Sequence, residues 1–156
     1  MARHHRTVTE LGTRALTLYR TILVTLDTSP TDRAIIEHVK QLARAVRTQK
    51  LVLLHVADGW AARTYGADAV SAEIDEDTAY LKQVQQEFES DGFYAQAALA
   101  FGDPATEIVK WIETEGCDLV AMSTHGHRLF ADVFLGTTAT RVQHRIRVPV
   151  LLLRAR

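Results

Sequence analysis

Residues 21–30 read TILVTLDTSP. Thr21 to Leu26 form a continuous, largely apolar run, the pattern of a strand buried on both faces by crossover helices. Asp27 stands at its end. Ser29 and Pro30 then signal a helix start, since a serine oxygen accepts from free backbone amides and proline suits the first helical position. Asp32 adds negative charge where the helix dipole favours it. Over 31–48, Ile35, Val39, Leu42, Ala43 and Val46 share one helical face.

The same unit recurs along the chain. Apolar runs appear at 51–56 (LVLLHV), 95–100 (AQAALA), 118–122 (DLVAM) and 148–153 (VPVLLL). Helical spacing lies between them: Ile74, Leu81, Val84 and Phe88, then Ala105, Ile108, Val109 and Ile112, then 137–145 with Ala139 and Val142 turned inward. Asp103 and Pro104 open the third helix and Gly116 closes it. The order β-α-β-α-β-α-β-α-β predicts an α/β fold, a doubly wound five-stranded parallel sheet with helices on both faces and flavodoxin-like layering. A ligand crevice is expected outside the carboxyl ends of the strands, where the winding reverses.

The chain has 156 residues, 47% hydrophobic and 24% charged, which suits one domain with a single core. Its 18 Lys+Arg against 19 Asp+Glu leave no basic excess for neutralising phosphate backbones, so no nucleic-acid partner is expected. That balance averages unlike regions. Residues 68–91 hold eight acids and only Lys82, whereas no acid follows Asp132 and five arginines (141, 145, 147, 154 and 156) crowd the C-terminus. Cys117 is the one cysteine and lies in an apolar run, the setting of a buried thiol in a reducing compartment. No run approaches the roughly 18 to 20 apolar residues of a membrane span. A cytoplasmic protein without a membrane partner is expected. Residues 1–18 read as an extension, flexible or a short docked helix, before a domain over 19–156. The acids Glu73, Asp75, Glu76 and Asp77 read as a solvated helix start rather than a metal site.

Chemistry concentrates at 122–138, MSTHGHRLFADVFLGTT. Gly126 after a strand permits close backbone approach to a ligand, while Gly136, Thr137 and Thr138 at a helix start aim amides and hydroxyls at an anion. The alternative is that Gly126 turns the chain and Thr137 caps the helix. Asp27 either accepts hydrogen bonds from a nucleoside or stabilises its turn. Arg128 either reaches phosphate oxygens or is a solvated loop charge. The pair His125 and His127 lacks further ligands for a metal, and His55 reads as a packed strand histidine. There is no G-x-G-x-x-G after the first strand and no G-x-x-x-x-G-K-[ST] loop. No Ser-His-Asp or Cys-His arrangement is supported, and no catalytic residue is assigned.

Together these segments resemble the nucleotide-binding branch of the universal stress protein family, over residues 19–154. The family's phosphate loop is glycine, two residues, glycine, nine residues, glycine, then serine or threonine. Here Ser123 takes the first place, followed by Thr124, His125, Gly126, nine residues over 127–135, Gly136 and Thr137. YRTILVTLDTSP, LLHV, GDPATEIVKWIETEGCDLVAMSTHG and VPVLLLR match the flanking pieces. Ser123 replaces a glycine, and a small residue still permits close approach.

The resemblance implies an adenine nucleotide alpha hydrolase-like fold. Thr25, Leu26 and Asp27 would line the nucleoside side of the pocket, and the Val56 backbone would read the adenine edge. Met122 and Ser123 would lie near the ribose, and Gly126, His127, Gly136, Thr137 and Thr138 would hold the phosphates. The implied cofactor is ATP (or ADP or AMP), with Mg²⁺ or Mn²⁺ held through the phosphates and no metal held by protein ligands alone. The implied role is an ATP-binding regulatory or sensing module in stress response, a homodimer through strand 148–153 with a protein partner of unknown identity. The competing functions are slow ATP hydrolysis or phosphotransfer, and a nucleotide-free dimeric interaction protein.

Overall fold

The computed structural model describes residues 18–57, 67–124 and 137–154. Among these residues, five strands, β1 (Thr21–Leu26), β2 (Lys50–Ala57), β3 (Ala95–Phe101), β4 (Leu119–Thr124) and β5 (Val150–Arg154), alternate with four helices. The helices are α1 (Asp32–Val46), α2 (Ala67–Ser90), α3 (Pro104–Glu115) and α4 (Thr137–Gln143). The sheet order is β3-β2-β1-β4-β5 and every neighbouring pair is parallel. The winding therefore reverses between β1 and β4, which run side by side from Ile22 opposite Leu119 to Thr25 opposite Met122. This is the expected doubly wound α/β sheet.

Strand residues alternate between two apolar layers, as the period of two requires. Ile22, Val24, Leu51 and Leu53 pack with Ile35, Ile36 and Val39 of α1 and with Leu81, Val84 and Phe88 of α2. Leu23, Val52, Leu54, Val120 and Met122 pack on the other face with Ile108 and Ile112 of α3 and Ala139 and Val142 of α4. Both faces of the central strands are buried, which is why their sequences are continuously apolar. Cys117 belongs to the second layer, and burial pushes its thiol up to about 12, as suits a packing residue.

Element ends differ from expectation where side chains take on other work. Asp118 lies just before β4, and its carboxylate accepts from the N–H groups of Arg20 at 2.9 Å and Thr21 at 3.0 Å, tying the start of β4 to that of β1. Pro30 precedes α1, because Ser29 and Thr31 first close a turn in which Ser29 Oγ accepts from Thr31 N–H at 3.3 Å. The start of α3 follows the sequence signals: Asp103 accepts from Thr106 N–H at 3.0 Å, Pro104 opens the helix, and Gly116 ends it at φ 62°, in the left-handed region that glycine adopts without strain.

The charges on α1 and α2 meet in a defined network. Arg33 donates to both oxygens of Glu87 at 2.8 Å, and Lys40, almost fully buried, pairs with Glu87 and with Asp91 at 2.8 Å while resting 5.4 Å over the Phe88 ring. The Arg33 and Lys40 hydrogen bonds hold Glu87 down at about 2. A depressed carboxyl contributes stability that is fully present above its unfolded value near 4.5 and is lost as pH falls toward 2. Acid unfolding should therefore steepen over that window, and Glu87→Gln should flatten it while lowering the neutral-pH midpoint in urea.

Candidate functional site

The strand ends at the reversal point enclose a cavity of about 250 Å³. Its walls come from Thr25, Leu26 and Asp27 at the end of β1, Leu54, His55 and Val56 of β2, Met122 and Ser123 of β4, Pro104 and Ile108 of α3, and Thr138 of α4. Parallel strands reach this end together, so backbone groups and short side chains from three strands converge where two helices also begin. The apolar walls and few polar groups match the general make-up of a small-molecule site.

Seven of the site residues expected from sequence line this one cavity: Thr25, Leu26, Asp27, Val56, Met122, Ser123 and Thr138. Thr137 sits exposed at the start of α4. Gly126, His127, Arg128 and Gly136, with His125, lie outside the described residues, as does residue Met1 through Thr17 of the expected extension.

The turn after β1 is built by a residue that sequence reasoning read differently. Asp32, read from the sequence as a negative charge in the first turn of the helix, is fully buried, and its carboxylate points back at the loop. It accepts from Asp27 N–H at 3.2 Å and Thr28 N–H at 3.0 Å, and from the Tyr80 hydroxyl at 2.9 Å. Thr28 is held at φ 61°, a left-handed conformation costly for a β-branched residue. Asp27 accepts from Ser29 N–H at 3.1 Å, so its carboxylate does stabilise the turn while also lining the cavity. Burial first, and then its carboxyl neighbour Asp27, raise Asp32 to about 6. Burial and the Asp32 carboxylate raise the Tyr80 phenol. No spacing signal marks Asp32, because an aspartate in a first helical turn is ordinarily a solvated charge.

His55 is a tethering residue, in keeping with its reading as a packed or hydrogen-bonded histidine. Its Nδ1 lies 2.8 Å from the Leu26 carbonyl, which only accepts, so Nδ1 carries the hydrogen. Its Nε2 faces Asp77 Oδ2 at 3.2 Å. α2 begins at Ala67, so the acids of 73–77 lie inside the helix rather than at its start; Glu73, Asp75 and Glu76 are solvated as expected, whereas Asp77 is buried. Among the described residues no group of three or more His, Cys, Asp or Glu side chains is placed to hold a metal ion. No helix of the described residues is long and apolar enough to cross a membrane.

On the α4 side of the cavity, Arg141 donates to both carboxylate oxygens of Asp103 at 2.8 and 2.9 Å, and Arg145 donates to Thr106 at 3.0 Å. The guanidinium of Arg141 holds the Asp103 carboxyl well below the usual range. These contacts join the α4 end of the chain to the start of α3, next to Pro104 and Ile108, the two α3 residues that line the cavity.

The model of the universal stress protein family matches residues 18–154. This chain belongs to that family. It is 26% identical to universal stress protein MJ0577 of Methanocaldococcus jannaschii, over 88% of this chain and 96% of the relative. The solved structure of MJ0577 superposes with a TM-score of 0.78 at 27% identity, covering 88% of this chain and 97% of that one. Two further structures share the fold at lower identity. One is a universal stress protein in complex with cAMP, with a TM-score of 0.66, 19% identity and coverage of 88% and 98%. The other is a universal stress protein family protein from Arabidopsis thaliana with AMP bound, with a TM-score of 0.63, 17% identity and coverage of 87% and 92%. As a universal stress protein, the chain carries its switch-point cavity within the segment that the family model spans.

Proposed function

We propose that this universal stress protein binds ATP, or ADP or AMP, and acts as a regulatory or sensing module in stress response. The observation that carries the reading is the cavity at the β1/β4 switch point, whose walls include Asp27, Val56, Met122, Ser123 and Thr138 together. A space of about 250 Å³ lies below the roughly 300–1,000 Å³ of pockets for drug-sized ligands, which suits a nucleoside with its phosphates leaving the cavity. Asp27 and the Val56 backbone supply the polar contacts that orient a base or ribose. Phosphates would leave past Thr138 toward α4 and be received by Gly126, His127, Arg128, Gly136 and Thr137, with Mg²⁺ or Mn²⁺ held through their oxygens. The cAMP- and AMP-bound proteins of the same fold lend support as examples of what the fold accommodates.

The same reading makes residues 19–156 the nucleotide-binding domain, with 1–18 an extension, in a cytoplasmic homodimer. β5 supports the dimer: among the described residues it is an edge strand paired with β4 alone, and Leu151, Leu152 and Leu153 are each only partly buried. An apolar edge of this kind calls for a partner, and a two-fold mate supplies one.

Thermal unfolding with Mg-ATP tests the nucleotide reading. A ligand at about a hundred times its Kd stabilises by about 2.7 kcal/mol, so a shift of several degrees is expected. Denaturing freshly purified protein should release an adenine nucleotide. Absence of both the shift and the released nucleotide would favour the nucleotide-free interaction protein, and turnover at or above about 1 s⁻¹ would make the protein an enzyme rather than a sensor.

A further inference from the structure

We propose that Asp32 is a positioning residue for nucleoside recognition, whose buried carboxyl sets the pose of Asp27 and makes affinity for the base and ribose depend on whether Asp32 holds a proton. This rests on the nucleotide reading of the cavity. Asp32 does not itself line the cavity; it acts through Asp27, which does and whose N–H it accepts.

Three observations converge on it. Asp32 is fully buried, an expensive place for a carboxyl unless its oxygens are satisfied. Its Oδ2 accepts from Thr28 N–H, Asp27 N–H and the Tyr80 hydroxyl, while Oδ1 shares the Asp27 N–H at 3.2 Å as its one donor among the described residues. Thr28, beside Asp27, is locked in the left-handed region, and such strain persists only where neighbours over-determine the backbone. Asp32 is the neighbour that does so, with Tyr80 fixing it from α2.

A carboxyl whose one oxygen is saturated with donors takes its proton on the other. Here that is Oδ1, and the Asp27 carboxyl is a side-chain hydrogen-bonding neighbour. With the proton present, Asp32 donates to Asp27 and fixes it as an acceptor facing the cavity. Without the proton, two carboxylates stand side by side and Asp27 loses that donor. Among the described residues, other titratable or charged groups stand near the pair. Arg33 follows on α1 and Tyr80 stands on α2, while His55 of β2, contacted by Asp77 of α2, reaches the same strand end through the Leu26 carbonyl. Burial and Asp27 place the Asp32 transition at about 6, so the proton is held below that pH and lost above it.

The test is adenosine affinity from about pH 5 to about pH 7.5, with adenosine as probe because a nucleotide phosphate titrates near 6 in the same range. Affinity is expected to fall about five-fold as pH rises, a coupling at the lower end of those typical between linked sites. Asp32→Asn keeps an acceptor for the backbone amides and a permanent donor for Asp27, so it should bind as tightly as the wild type at the acid end and show no slope. Tyr80→Phe removes a donor that favours the ionised carboxylate, so the midpoint should move upward. It provides the test even if Asp32→Asn does not fold. A wild-type affinity that is flat across the range overturns the proposal, as does a slope kept by Asp32→Asn or a midpoint unmoved by Tyr80→Phe. If adenosine and Mg-ATP both fail to bind at every pH, the nucleotide reading falls and takes this proposal with it; binding without slope defeats the proposal alone.

Discussion

Replacing Asp27 with alanine is expected to weaken adenosine and Mg-ATP binding by about 10- to 100-fold, the loss of one hydrogen bond to a charged acceptor at about 1.5–3 kcal/mol. The carboxylate lines the cavity at the end of β1 and is oriented by Ser29 N–H, so its geometry is set before a ligand arrives. An oriented acceptor loses little entropy on binding, which is why its removal should be felt nearly in full. The fold should survive, because the backbone of the turn is held chiefly by Asp32, through the N–H groups of Asp27 and Thr28. Asp27→Asn retains one acceptor oxygen and should lose less. Isothermal titration of the three proteins, with a thermal midpoint for each, separates binding from folding. Equal affinities for wild type and Asp27→Ala would remove Asp27 from the site.

Phe88→Ala is expected to cost about 3–5 kcal/mol of stability, the usual penalty for emptying a buried aromatic position. The ring is fully buried in the layer between α2 and the sheet, and meets Phe93 edge-on at 5.8 Å between centroids. Its face also supports the Lys40 ammonium, whose pairing with Glu87 and Asp91 binds α1 to the end of α2. Removing the ring thus opens a cavity beneath a buried charge. Urea unfolding measures the loss, and a change below about 1 kcal/mol would mean that the α2 layer relaxes to fill the space. Because α2 also carries Tyr80 and Asp77, the variant should weaken the support of the β1 turn as well.

How much of this was legible in the sequence differs by element. The continuous runs TILVTL and LVLLHV gave away a sheet buried on both faces, and the alternation of strand and helix led to its doubly wound form. The position of the cavity followed from the topology, and seven of the expected lining residues meet there because strand ends in a parallel sheet converge. Side-chain reach across the fold was not legible. Asp32 looked like a charge serving the helix dipole in a first turn, and only the fold, which brings Tyr80 of α2 against it, shows its carboxylate turned inward toward that hydroxyl and the loop amides. Asp77 looked like one of four solvated acids until the fold placed it against His55. Asp118 looked like the first residue of a strand, whereas its carboxylate bridges to the start of β1. In each case a local pattern was overruled by a partner distant in the chain, which periodicity and spacing do not encode.

The central claim is that the switch-point cavity is a nucleotide site. Titration of the wild-type protein with Mg-ATP, followed by heat, tests it most directly. The account predicts saturable binding at one site per chain, reduced by Asp27→Ala. No heat of binding at protein concentrations of tens of micromolar, or binding indifferent to Asp27, would contradict it.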